Sequence, residues 1–307
     1  MSEKRGCFKT GCMGCLGIMV VGFVISGTLV MVGWSSSRHR DMQDRRMAAA
    51  PAAEAMADTT IVPAGFAWQG HPGKVVLKMS HGGFTVTPAA EGVGLSARAR
   101  FDAEAYTIAE KFSVEPDSTW VYSIEFHRHM NGMQALFRGM FMHDNQPQIE
   151  IALPGDVPLA LVADVAMGGA EMELGGLWLT SADLHCNKGG FSLAFSEPLR
   201  EPMDSMVLSG SMGGLEVLRI GNASPRNLDV DWRMGGGDID LRGAWRNDCR
   251  AGFAIRMGGM SVTLPQDIEV DGAASATPTI AAPDRESPLP VLHISKRASM
   301  GEIEFQP

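Results

Sequence analysis

Tyrosine is nearly absent from this chain, with two residues in 307. All aromatics together reach only 7%, which argues against a long aromatic-rich interface. Cysteine is scarce as well. Five residues are too few and too scattered for a disulfide-dense secreted scaffold. Basic charge is in deficit, with 26 Lys and Arg against 35 Asp and Glu, a net of -9. A surface that neutralises phosphates has to be basic, so nucleic acid is set aside as a partner. There is no P-loop and no dinucleotide fingerprint between a strand and a helix. Ser209-Gly210-Ser211 lacks the spacing of a nucleophile elbow. The sequence therefore points to no catalytic residue and to no cofactor.

What is present is apolar residue, glycine and methionine. The hydrophobic share is 45% and the charged share 20%, enough to bury a core. Glycine stands at 36 and methionine at 21.

Residues 16–34 read LGIMVVGFVISGTLVMVGW, without a charge. At about 1.5 Å per residue that run roughly spans a hydrocarbon core. A cleaved signal peptide would have a shorter apolar run and a small-residue cleavage site just after it. Here the run is followed by SSSRHR. The expectation is one uncleaved transmembrane helix over 16–34, a cytoplasmic N-terminus over 1–15, and the long C-terminal part outside the cell membrane, periplasmic or at the cell surface. Cys7, Cys12 and Cys15 precede the helix. A zinc site would need a second ligand pair nearby, so these are read as small residues at the membrane face.

Residues 35–72 carry no apolar period and read as a flexible linker. Residues 1–46 hold seven Lys and Arg and three Asp and Glu, a net of +4, which leaves -13 for the remainder. The expected exported part is acidic.

Met-Gly-Gly starts at Met167, Met212, Met234 and Met257, and Lys-Gly-Gly at Lys188. The steps are 21, 24, 22 and 23 residues. A period near 22 over five units predicts a stacked repeat. Two and four residues before each anchor stand Val165 and Ala163, Cys186 and Leu184, Gly210 and Leu208, Trp232 and Val230, Ile255 and Phe253. Five and seven residues after it stand Met172 and Leu174, Leu193 and Phe195, Val217 and Arg219, Ile239 and Leu241, Val262 and Leu264, and of both sets only Gly210 and Arg219 are not apolar. Alternation on both sides of a Gly-Gly means two short strands with a corner between them. The predicted corners are Gly82 and Gly83, Gly168 and Gly169, Gly189 and Gly190, Gly213 and Gly214, Gly235 and Gly236, Gly258 and Gly259. The fold class expected is all-β, a single-stranded, right-handed β-helix-like β-solenoid over residues 73–307. Its regular coils run over about 148–270. An inserted loop occupies 272–288, and a last coil over 290–306 is placed with Ala298 at the anchor position.

The segment IEIALPGDVPLALVADVAMGGAEMELGGLWLTSADLHCNKGGFSLAF resembles the bacterial toast-rack families. These are the adhesin-type β-repeat proteins and the C-terminal domain of LiaF-like cell-envelope stress proteins. The likeness lies in a proline-rich approach to a strand (Pro154 and Pro158), a glycine-corner coil, and the Leu-Gly-Gly-Leu step from Leu174 to Leu177. Members commonly show Gly-Ser-Gly or Gly-x-Gly corners where this chain has Met-Gly-Gly. The resemblance implies an envelope-associated β-solenoid without catalytic residues. The function expected is an adhesin-like or stress-regulating module that binds an envelope protein partner or, through the unpaired strand edges of its end coils, a second copy of itself.

Three candidate sites remain. His127 and His129 share one face of a strand, and His143 lies in a methionine-rich run nearby, a set that could hold copper and would make the protein a periplasmic metal- or ligand-binding one. Glu171, Glu216, Asp238 and Glu302 stand four residues after their anchors, and with Asp229, Asp231 and Asp240 form an acidic face able to meet calcium. The plainer reading of both sets is a solvated strand face. Cys186 falls at an inward position and Cys249 in a turn, about three coils away, so no bridge is expected between them.

Overall fold

The computed structural model describes residues 55–58, 71–101, 105–129, 147–272 and 289–307. The expected transmembrane helix, most of the linker, the three N-terminal cysteines, His143 and most of the expected insertion at 272–288 lie outside these residues. Among the described residues the protein is all-β. Fourteen strands form one continuous sheet, and one 3-10 turn, Ile220–Asn222, interrupts them. No described helix is long and apolar enough to cross a membrane.

Six long strands carry the repeat: β8 (Leu159–Glu173), β9 (Leu179–Ala194), β10 (Ser205–Leu218), β11 (Asn227–Asp240), β12 (Cys249–Thr263) and β14 (Val291–Gln306). They pair parallel, each on the one before it. Five of the six bend at a Gly-Gly, and β14 carries Gly301 alone at that place. In β8 the buried side chains are Leu161, Ala163 and Val165 before the bend, and Ala170 and Met172 after it. The inward face moves from odd to even positions, so the corner resets the period-2 alternation.

The first glycine makes this possible. Gly168 has φ +139, and a Cβ there would collide with the carbonyl oxygen of Gly82 in the neighbouring strand. Only glycine supplies both the left-handed backbone and the close approach. The same residue recurs in register, with positive φ, at Gly189, Gly213, Gly235 and Gly258, while Gly301 in the last strand shares only the close approach to its neighbour's backbone.

Two apolar columns fill the angle between the half-strands. One runs through Val165, Cys186, Gly210, Trp232 and Ile255, the other through Met172, Leu193, Val217, Ile239, Val262 and Phe305. Each fully buried large apolar side chain contributes about 1.5–3 kcal/mol. The return segments close the third side with Leu199, Met203, Ile220, Ala223 and Trp245, all buried. Their buried polar hubs are Ser224, whose hydroxyl accepts from the Arg246 N–H (2.9 Å), and Asn222. Its amide donates to the Phe195 carbonyl (2.7 Å), and its side-chain oxygen accepts from the Ala244 N–H (2.9 Å), so one side chain ties together three successive return segments.

The N-terminal part does not follow chain order. β2 (Gly73–Met79) and β3 (Gly82–Pro88) make one bent rung around Gly82, φ +106. That rung pairs parallel with both halves of β8. Its other edge is covered by β6 (Trp120–Arg128) and β7 (Gln148–Leu153), also parallel. A later segment is thus stacked outside an earlier one. β4 (Ser96–Phe101) and β5 (Tyr106–Val114) then run antiparallel on β7 and β6, and β1 (Ala55–Asp58) runs antiparallel on β4. The hairpin turn between β5 and β6 produces the reversal, with Ser118 at φ 69 and the Asp117 carboxylate accepting from the Thr119 N–H.

Two sequence-based placements are corrected. Met300, not Ala298, is the anchor of the last strand, because Met257 pairs with Met300 and Ile255 with Ala298. Cys249 is not in a turn. It opens β12, buried and opposite Leu292.

Candidate functional site

The corners build one continuous surface feature. The second glycines stand in register from Gly83 through Gly169, Gly190, Gly214 and Gly236 to Gly259. With no side chains, this column leaves bare backbone as a floor. Two residues further on runs a column of short polar groups: Glu150, Thr85, Glu171, Ser192, Glu216, Asp238, Ser261 and Glu304. Over most of this length floor and wall enclose an open trough of about 1310 Å³, running from Tyr106 and Pro147 at its N-terminal end to Gly236 and Asp238.

A hydroxyl alternates with a carboxylate along most of the wall. Strands lie about 4.8 Å apart, so acids separated by a hydroxyl are roughly 10 Å apart, and their repulsion is screened by water. Glu216 and Asp238 are direct neighbours, and Ser192 relieves that pair by donating its Oγ–H to Glu216 (3.0 Å). Arg98 stands opposite Glu150 at the capped end. The wall can accept hydrogen bonds along its length, so the trough is suited to an extended partner rather than a compact one.

The expected acidic face is partly this wall. Glu171, Glu216 and Asp238 belong to it, whereas Glu302 pairs with Gly259 and Glu304 takes the wall position. Asp229 and Asp231 lie on the other half-strand. Asp240 is turned to Arg242, which holds it through two side-chain hydrogen bonds of 2.8 and 2.9 Å and one backbone bond. Among the described residues, no three His, Cys, Asp or Glu side chains come together as a metal site. Thr85, Ser192, Ser261 and Glu150 escaped the sequence reading. Counting four residues on from the residue before each Gly-Gly (His81, Lys188 and Met257) finds the first three, but Glu150 follows no Gly-Gly.

His127 and His129 project from the exposed face of β6 and its end. His127 Nε2 lies 3.5 Å from Glu125, and His129 Nδ1 is 3.1 Å from the Thr107 hydroxyl. Glu125 is itself held below the ordinary carboxylate range, first by its hydrogen bond from Lys78 (2.9 Å) and then by His127. On the inner side of β6, Tyr122 donates to Glu110 at 2.9 Å, and burial followed by the Glu110 charge pushes its phenol upward. Each histidine thus has a polar neighbour, and the third member of the proposed copper set is outside the described residues.

Cys186 and Cys249 are both free and buried. Burial raises both thiols, with the Asp164 charge adding to the effect at Cys186, and Cys249 reaches about 12. Neither has the lowered thiol of a reactive cysteine.

The class these features define is an all-β chain of corner-bent strands with a long surface trough. No family model matches the sequence, and no curated protein matches it. Two of the solved structures similar to this chain illustrate the likeness. One is a proposed cell adhesion protein from Clostridium sporogenes, with 12% identity and TM-score 0.42, covering 81% of this chain and 98% of that one. The other is a proposed adhesin from Bacteroides fragilis, with 11% identity and TM-score 0.37, covering 78% and 94%.

Proposed function

We propose that this protein is a membrane-anchored β-solenoid of the bacterial cell envelope, a non-catalytic interaction module presented outside the membrane. The reading rests on one observation above the others. Six successive repeats pair parallel and in register, so each surface position becomes a straight column. A rigid set of columns presents a long, regular face to a partner, and repeat stacks use such faces for binding. The apolar run at 16–34 supports the anchor. The trough supports an extended partner, which suits either adhesion or the capture of an envelope protein in stress signalling.

Crosslinking and pull-down of the full chain from native membranes test this, together with protease protection of intact cells and inverted vesicles. The expected result is a digestible C-terminal part outside the cytoplasm and a specific crosslinked partner or self-ladder. A C-terminal part protected in intact cells and digested in inverted vesicles would overturn the topology. Failure to capture any partner or copy would overturn the interaction role.

A further inference from the structure

We infer that the corner methionines form a binding site for a soft monovalent cation, copper(I) in its chemistry, at the outer edge of the stack. The residue just before each corner glycine forms its own column. Met167 pairs with Lys188, and Lys188 with Met212. The register of Gly213 on Gly235 sets Met212 beside Met234. Met234 then pairs with Met257, and Met257 with Met300. Four thioethers therefore stand on four successive strands without interruption.

These side chains are not core. Met167, Met212, Met234, Met257 and Met300 are 41, 47, 40, 40 and 68% exposed, while Met79, Met172, Met203, Met206 and Met260 are buried. Exposed large apolar residues among the described ones are otherwise only Val93, Val114 and Leu218. The column is flanked by glycines on one side and, at two strands, by the exposed Arg233 and Arg256 on the other. An apolar ridge in such surroundings gains little from burial, so its chemistry is the better account of its repetition.

A thioether is a neutral, polarizable ligand with no proton to lose. It selects copper(I) over calcium or zinc, which need oxygen, imidazole or thiolate donors. The spacing suits a two-coordinate ion. Neighbouring strands lie about 4.8 Å apart, close enough for two thioethers to turn toward one shared ion. The unbranched methionine side chain, with three rotatable bonds, can also bring in a third sulfur. Lys188 interrupts the column with a positive charge, so Met167 stands apart from the run of four.

The test uses the full chain in detergent, in chloride-free buffer, with accessible thiols alkylated. Silver(I) nitrate serves as a redox-inert probe and copper(I) is titrated against a chromophoric chelator. Methionine methyl groups are followed by NMR. Binding should shift the methyl signals of Met212, Met234, Met257 and Met300 and leave Met167 in place. Replacing the four by leucine keeps an apolar ridge of similar volume. It should weaken binding by more than about 100-fold, since loss of a single partner behind a metal ligand already costs about 10–100-fold, with an unchanged circular dichroism spectrum. Lys188→Met should join Met167 to the run and raise the number of ions bound. Wild-type affinity in the leucine variant, shifts confined to other methionines, or no gain in Lys188→Met would each overturn the proposal.

Discussion

The indole of Trp232 lies across Gly210. The two residues pair in register on β11 and β10, and the ring atom Cη2 is 2.5 Å from where a Cβ at position 210 would sit. The indole N–H donates to the Gly213 carbonyl at 3.1 Å. Gly210 is the gap in an otherwise apolar column because its neighbour's ring fills the space. The same relation recurs between Gly73 and Trp120 at the other end of the sheet.

Gly210→Val should therefore destabilise the protein through overpacking, by about 1–3 kcal/mol. Trp232→Val alone should cost about 3–5 kcal/mol through the cavity it leaves. The double variant should be more stable than the sum of the two losses, since the valine at 210 enters space the ring vacates. Denaturant melts of the four proteins measure the coupling. Strict additivity would show that the ring and the glycine are independent.

The two glycines of one corner should respond differently to alanine. Gly213 has φ +139, and a Cβ there collides with the Gly189 carbonyl oxygen. Gly214 has open space where its Cβ would be. Gly213→Ala should lower the thermal midpoint strongly, by a cost above about 2 kcal/mol once strain and displaced backbone are combined. Gly214→Ala should leave it unchanged or raise it slightly, within about 1 kcal/mol. Equal effects would contradict the corner geometry.

Cys186 and Cys249 should resist alkylation in the folded protein. Both are buried with raised thiols, and they lie three strand steps apart, roughly 14 Å, too far for a disulfide. Intact mass after iodoacetamide near neutral pH should show both unmodified, and both modified after denaturation without reductant. A bridge, or rapid native labelling, would be the contrary result.

Asp240 makes a pH-dependent contribution. Burial alone would raise its carboxyl, but the Arg242 hydrogen bonds and charge outweigh it and leave it below its ordinary 3.8. A carboxyl that ionises more readily when folded stabilises the protein above its unfolded value, and that contribution disappears as pH falls through the folded one. Stability should therefore drop below about pH 4. Arg242→Ala should lower stability near neutrality only slightly, because the arginine is largely exposed and its charge is screened by water. The difference from wild type should shrink toward pH 2–3. A difference constant with pH would exclude the pair as its cause.

The sequence made the corners legible because each repeats the same local chemistry, a long unbranched residue followed by glycines. It made the last strand less legible, since its corner reads Met300-Gly301-Glu302. A slip of two residues keeps every side chain on its proper face, so alternation could not reveal that Ala298 was the wrong anchor. The slip mattered only for the wall, where it exchanged Glu304 for Glu302. The stacking order of β2 and β6 had no local signal at all. Val75 meets both Tyr122 and Leu161, and pairings so distant in sequence are set by tertiary contacts. The hydroxyls of the wall were overlooked because single serines and threonines on strands look like ordinary solvent-facing residues.

The rung formed by β2 and β3 has a consequence for biosynthesis. It emerges from the ribosome before either of its flanking rungs, because β6 and β7 cover one edge and β8 the other. At about 5–20 residues per second, the edge that meets β8 stays open for roughly 4–17 s, and the edge that meets β6 and β7 for somewhat less. Every later rung docks on one already complete, so elongation from β8 onward proceeds with the growing chain. The first rung must instead wait, and during that interval the nascent chain depends on whatever holds its unpaired edges apart from other chains.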